Sequence, residues 1–425
     1  MSYRFDTRAI HAGQPNDLAT GSVITPIHQT STFGQDEPGI NKGFCYSRTG
    51  NPTRSALEEN LAALENARHG LAFASGMSAI HAVLSLLGRG DHVVSTQDLY
   101  GGAWRIFTKV FSRFGIEFTF VDTTSPANIE AAIRPNTKLL WLETPSNPLL
   151  HVTDISRCSA IARAKRITTV VDNTFATPVL QQPLALGADI VVHSTTKYIN
   201  GHSDVIGGAV LTNDDALYAE LKFLQNAIGA VPAPQDCFLI LRGIKTLGLR
   251  VERHCSNAEL IARRLLAHDG VRRVYYPGLV DQLDHAVARR QMSRFGAIVS
   301  FELDATLEET RAFTRRLNLW TLAESLGGVK SLFCHPATMT HASVEPDVRR
   351  SVGISDSLIR LSAGLEDVRD LIEDLEQALA RTQRTAAVPA AEQAASRRPG
   401  SETLPDQPAR TPAVHGDDSA EERVA

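Results

Sequence analysis

The chain has 425 residues, 43% hydrophobic and 21% charged, with a formal net charge of -4. There is enough apolar material for a large core, and no basic field that would recruit nucleic acid or an anionic membrane. The first residues lack a continuous apolar h-region and no run approaches the ~18 apolar residues of a membrane span, so neither a secretory signal nor a span is expected; a cytoplasmic protein with small-molecule chemistry is the default. The five cysteines, Cys45, Cys158, Cys237, Cys255 and Cys334, are scattered and form no C-x-x-C pair. Neither a disulfide framework nor a metal site is expected.

The first 45 or so residues have little periodicity and scattered Gly, Pro, Ser and Thr, which suits an extended arm (1–48). From about 49 to 245 two periods alternate. Pro52 opens a helical pattern with Leu57, Leu61 and Leu64 on one face. GLAFAS (70–75) is a short apolar run that turns at Gly76 into a helix. HVVST, EFTFVD, KLLWLET, TTVVDN and DIVVHST are further compact strand patterns, with helical stretches between several of them. Strands alternating with helices imply an α/β fold with a mostly parallel sheet covered on both faces. From 246 to 384 a long helix, FGAIVSFEL and a final helix predict a smaller α+β domain. The segment 385–425 contains five prolines and no Phe, Tyr, Trp or Ile, a composition expected to be disordered.

In open α/β sheets ligands sit beyond the carboxyl ends of the strands. Ser75-Gly76-Met77, Tyr100, Asn147, Asp172 and Ser194-Thr195-Thr196-Lys197 all follow strand patterns there. A helix beginning at Ser75-Gly76-Met77 can hold a phosphate on its free N–H groups. Ser194 and Thr196 can add hydroxyls, Lys197 can condense with an aldehyde, and Asp172 can keep a pyridine nitrogen protonated. Taken singly, each has a plainer explanation: Asp after a strand is usually a cap or turn, Gly a turn residue, and Lys solvated surface.

Together these residues acquire meaning, because the run HSTTKYINGHSDVIGG (193–208) resembles the cofactor-lysine motif of the cysteine/methionine metabolism enzymes that depend on pyridoxal phosphate. YSRTGNPTR (46–54), ASGMSAIHAV (74–83), YGGAWR (100–105), ETPSNP (143–148), VVDNTFATP (170–178), TLAESLGG (321–328) and MTHASV (339–344) extend the resemblance over about residues 8–382. It implies a fold of the aspartate-aminotransferase-like type I class of pyridoxal-phosphate transferases, and a homotetramer built from tight dimers. It also implies a Schiff-base lysine at Lys197 and a ring-stacking tyrosine at Tyr100, with Asp172 as the pyridine-nitrogen partner and Arg360 as the binder of the substrate α-carboxylate. Tyr46 and Arg48 would reach across the dimer to the neighbouring subunit's phosphate. Asn147 and Ser325 would orient cofactor and substrate, and Arg105 would attend the substrate's distal end.

Glu324, in TLAESLGG, matches the γ-synthase and γ-lyase branches and points to γ-chemistry on O-acylhomoserine or cystathionine, with cystathionine γ-synthase-like γ-replacement put first. The alternatives are cystathionine γ-lyase and γ-replacement with a nucleophile other than cysteine. Loss of catalysis with retained cofactor binding is disfavoured by the completeness of the site. Cys45, Ala103, Trp104, Lys330 and Gly102 depart from one or another branch of the family pattern, and a missing carboxylate at Cys45 would weaken recognition of a distal ammonium.

Overall fold

A computed structural model describes residues 3–342 and 344–387. All but the first three residues of the 385–425 tail therefore lie outside the described residues, and those three belong to the final helix, Val368–Ala387. The described residues up to Thr382 form one compact unit.

The strands in chain order are β1 (Gln35–Glu37), β2 (Ile40–Asn41), β3 (His69–Phe73), β4 (His92–Thr96), β5 (Glu117–Val121), β6 (Thr137–Glu143), β7 (Thr168–Asp172), β8 (Ile190–His193), β9 (Gly208–Thr212), β10 (Val271–Tyr275), β11 (Ile298–Leu303), β12 (Thr321–Leu322), β13 (Leu332–Cys334) and β14 (Leu358–Ser362). β1 and β2 form a small ribbon, and the rest build a seven-stranded sheet in the order β3-β9-β8-β7-β6-β4-β5 and a five-stranded sheet in the order β10-β11-β14-β13-β12. The fold is α/β, as the alternation of periods predicts.

The neighbours from β8 to β5 in the large sheet are all parallel. β9 runs antiparallel to both β3 and β8. Two reversals restore the direction, so β3 delivers its carboxyl end to the same edge as β7 and β8. That geometry brings Ser75 and Gly76 beside Ser194, although 119 residues separate Ser75 from Ser194 in the chain.

Alternate strand residues feed opposite faces, as a two-residue period requires. Val170 packs with Leu71, Leu139, Trp141 and Ile190 on one side, and Val171 with Val94, Leu140 and Leu142 on the other. Helices cover both faces. One of them, Pro52–Leu64, starts where Asn51 Oδ1 accepts from the N–H groups of Thr53 and Arg54 and Pro52 takes the first helical position. Near the amino terminus the chain is less extended than its composition suggests, because Phe5–His11 is helical and Asn60 of the Pro52–Leu64 helix donates to the carbonyls of Arg8 and Ala12.

In the small sheet β14 is central, with Arg360 paired to Ser300 on one side and Cys334 on the other. The turn after β12 reaches back to the segment between β8 and β9, where Val329 N–H donates to the Gly201 carbonyl at 2.9 Å. The same turn brings Ser325 to Lys197.

Candidate active site

A cavity of about 410 Å³ opens at the carboxyl edge of the large sheet, within the size range of small-molecule and cofactor sites. Ser75, Gly76, Met77, Tyr100, Asn147, Asp172, Ser194, Thr196, Lys197, Glu324, Ser325 and Arg360 all line it. Three expected site residues do not. Tyr46 and Arg48 stand exposed, with the Arg48 guanidinium 5.6 Å from the centre of the Tyr46 ring. Arg105 is also exposed, yet near enough for its charge to lower the Tyr100 phenol against the effect of burial.

Ser75 caps the helix Gly76–Leu84, its hydroxyl accepting from Ser78 N–H at 3.0 Å. A Cβ on Gly76 would come within 2.9 Å of Ser194 Cβ, so only glycine lets the helix start approach the end of β8 this closely. Of the two hydroxyls expected to serve a phosphate, that of Thr196 already bonds the backbone, accepting from Gly207 N–H at 2.9 Å and donating to the Gly207 carbonyl at 3.2 Å.

Lys197 Nζ donates to Ser325 Oγ at 2.8 Å. Burial, helped by the nearby Arg360 charge and opposed by Glu324, pulls the amine down to about 8. Near neutral pH an appreciable fraction is therefore unprotonated and able to attack an aldehyde or accept a proton. Ser325 holds a left-handed backbone, φ 91°, which costs a non-glycine residue of order 1–3 kcal/mol. The same residue's carbonyl accepts from Arg360.

Arg360 is 3% exposed. Its two terminal nitrogens donate to Asn147 Oδ1 at 2.9 Å and to the Ser325 carbonyl at 3.0 Å, and its Nε has no protein partner. These bonds orient a planar fork suited to a carboxylate, with donors left over.

At the other wall, Asp172 Oδ1 accepts from Thr174 N–H at 3.0 Å. Burial raises the Asp172 carboxyl, and its hydrogen bonds with Thr174 oppose that rise. A cationic ring nitrogen beside it would complete the compensation. Tyr100 is held by its backbone N–H, which donates to Glu143 Oε2 at 2.9 Å, and burial followed by the Glu324 charge keeps its phenol protonated. A Cβ on Gly102 would meet the Tyr100 ring at 2.4 Å and Met77 Sδ at 3.1 Å. The glycine at 102 is therefore what allows the tyrosine ring to lie over that turn.

Sequence reasoning missed Glu143, Thr174 and Thr340, all of which line the cavity. The first was visible as the opening residue of ETPSNP, but nothing local marked its side chain as facing Asp172.

Lys197, the buried Asp172 carboxyl, the glycine-shaped helix start at Gly76 and Arg360 share one cavity, an arrangement compatible with the pyridoxal-phosphate chemistry that the sequence resemblance implies. The sequence comparisons are narrower. The family model described as Cys/Met metabolism PLP-dependent enzyme matches residues 6–380, and the chain belongs to that family. It is 53% identical over 376 residues to a cystathionine beta-lyase of Coxiella burnetii, covering 88% of this chain and 97% of that protein. To a cystathionine gamma-lyase of Dictyostelium discoideum it is 50% identical over 379 residues, covering 89% of this chain and 98% of that protein. A crystal structure of cystathionine gamma-lyase from Lactobacillus plantarum, complexed with L-serine, superposes with a TM-score of 0.88 at 48% identity, covering 90% of this chain and all of that one. The cofactor is pyridoxal phosphate, and a small-molecule amino-acid substrate fits the family. Among the described residues no helix is long and apolar enough to cross a membrane.

Proposed function

We propose that the protein is a carbon–sulfur lyase that cleaves cystathionine by γ-elimination, releasing cysteine, 2-oxobutyrate and ammonia. Similarity of about half of all positions to named cystathionine lyases supports the lyase reading over the synthase expectation. The observation that carries γ- over β-elimination is Glu324, whose carboxylate lines the cavity and acts electrostatically on both Lys197 and Tyr100.

In this reading Arg360 takes the substrate α-carboxylate, with Asn147 and Ser325 holding its guanidinium in plane. The cofactor supplies an electron sink for charge developing at the α-carbon. Ser75, Gly76 and Met77 would receive its phosphate, Asp172 its ring nitrogen and Lys197 its aldehyde carbon. Lys197, once released, takes the α-proton through Nζ, with Ser325 Oγ as its resting hydrogen-bond partner. In γ-elimination a second proton leaves the β-carbon, and the same amine is within the cavity to move it. Tyr100, a neutral phenol, can donate to the departing sulfur.

Tyr46 and Arg48 are assigned to the cofactor phosphate of a second copy in a homotetramer. Their exposure outside the cavity, and the apolar surface at Leu18, Val23 and Ile40 in the same amino-terminal segment, support an arm of about residues 1–48 that another subunit covers. The divisions at 49–245 and 246–384 follow the two sheets.

The test is incubation of the cofactor-loaded protein with cystathionine, and separately with O-acetyl- or O-succinylhomoserine plus cysteine, with products read by mass spectrometry. Cysteine and 2-oxobutyrate from cystathionine are expected. Homocysteine and pyruvate would establish β-elimination, and net cystathionine synthesis from an acylhomoserine without cleavage would restore the synthase reading.

A further inference from the structure

Glu143 takes no part in the roles above, yet it lies at the base of the cavity. It closes β6 and pairs in register with Asp172, which closes β7. It lines the same cavity and is only 4% exposed. In-register residues on neighbouring parallel strands share a face with their strands about 4.8 Å apart, so two carboxyls meet in one corner. A third, Asp98, is 6% exposed in the segment after β4 and accepts from the Ser146 hydroxyl. The charged or ionisable groups facing this corner are Arg360 toward Glu143, His151 and Asp122 toward Asp98, and His193 toward Asp172. The Tyr100 phenol is close enough to feel the Glu143 charge.

Carboxyls crowded in a poorly solvated site do not all ionise. The three differ in what holds their charge. Asp172 accepts from Thr174 and faces the place where a ring nitrogen would bind. Asp98 has a hydroxyl donor in Ser146. Glu143 has one backbone donor, Tyr100 N–H, and burial with the neighbouring Asp172 pushes it well above the ordinary carboxylate range.

We propose that Glu143 is a positioning residue that works as a neutral carboxylic acid, anchoring the Tyr100 turn through the Tyr100 N–H and leaving Asp172 free to ionise for the cofactor. The inference rests on the cofactor site assigned above. A neutral carboxyl accepts the N–H bond as well as an amide does, so glutamine is a faithful replacement and alanine is not.

The experiment uses holoenzyme of the wild type, Glu143→Gln and Glu143→Ala, with circular dichroism and thermal midpoints as checks on folding. Glu143→Gln is expected to keep the visible absorbance of the bound cofactor, its titration with pH, and the cofactor dissociation constant within about twofold. Glu143→Ala is expected to shift that absorbance, because the Tyr100 ring loses its anchor, and to lower kcat/KM by roughly tenfold, the value of one hydrogen bond of about 1.4 kcal/mol. Infrared difference spectra between the wild type and Glu143→Gln at neutral pH should contain the carbonyl band of a protonated carboxyl. The proposal is overturned by the absence of that band, by Glu143→Gln failing as badly as Glu143→Ala, or by Glu143→Ala matching the wild type. Should Glu143→Ala not fold, the infrared band and Glu143→Gln still decide. Borohydride reduction of the wild type, with the labelled lysine located by mass spectrometry, separates the two levels of inference. No adduct at Lys197 would remove the cofactor site itself, whereas an adduct with the wrong variant behaviour removes only the role of Glu143.

Discussion

Replacing Arg360 tests the substrate end of the site most directly. In Arg360→Lys the charge stays, but one ammonium must stand in for a fork that donates to Asn147 Oδ1 and the Ser325 carbonyl while also gripping a carboxylate. A hydrogen bond to a charged group contributes about 1.5–3 kcal/mol. Losing one arm of the grip should therefore lower kcat/KM by roughly 10- to 150-fold, chiefly through KM. In Arg360→Ala the two buried acceptors also lose their donor, at about 1–3 kcal/mol each, so the thermal midpoint should fall as well. The two variants differ in a second respect. The Arg360 charge is one of the causes that pull Lys197 down to about 8, second to burial. Removing that charge lets the amine hold its proton to higher pH, so the acid limb of activity in Arg360→Ala should move upward, while Arg360→Lys, which keeps a charge, should move it less. The assay is 2-oxo acid release as a function of substrate concentration between roughly pH 6 and 10, spanning the Lys197 transition. An Arg360→Ala enzyme with unchanged KM and an unshifted acid limb would refute both the carboxylate assignment and the coupling to Lys197.

Three further outcomes follow from other contacts. Lys197→Ala should abolish borohydride-stable attachment of the cofactor and lower turnover by about 10²- to 10⁴-fold, the range for losing a general base; single-turnover kinetics with added cofactor would check it. Gly76→Ala places a Cβ within 2.9 Å of Ser194 Cβ and should force the phosphate cradle apart, raising the cofactor dissociation constant by about tenfold or more in an absorbance titration, since packed atoms cannot yield without strain of about 1–3 kcal/mol. His193 Nε2 lies 2.6 Å from Glu65 Oε1, both side chains 1% exposed. His193→Ala leaves that carboxyl with Asn173 as its hydrogen-bond partner and should destabilise the fold by about 1–3 kcal/mol in denaturant unfolding, the cost of a buried group losing one partner, while Glu65→Gln, which keeps an acceptor for His193, should cost less.

The local periods in the sequence were enough to establish the α/β class, because strand and helix faces repeat at 2 and 3.6 residues wherever one side is buried. They placed Gly76 at a helix start and Asp172 and Lys197 at strand ends. The block around Lys197 marked the cofactor chemistry before any contact was known. What the periods could not convey was which strand ends are neighbours. A seven-stranded sheet admits many orders, and only the antiparallel β9 between β3 and β8 sets Ser75 beside Ser194. The same holds for Glu143, whose importance comes from lying in register with Asp172 across a strand pair. Ser325 and Arg360 likewise came from motifs 35 residues apart in the chain, and they reach Lys197 in a fold that also joins Val329 to Gly201 through the backbone. Local residue chemistry names the groups able to react, but distance and charge coupling between them arise when non-local packing closes the cavity, and those are properties of the tertiary structure alone.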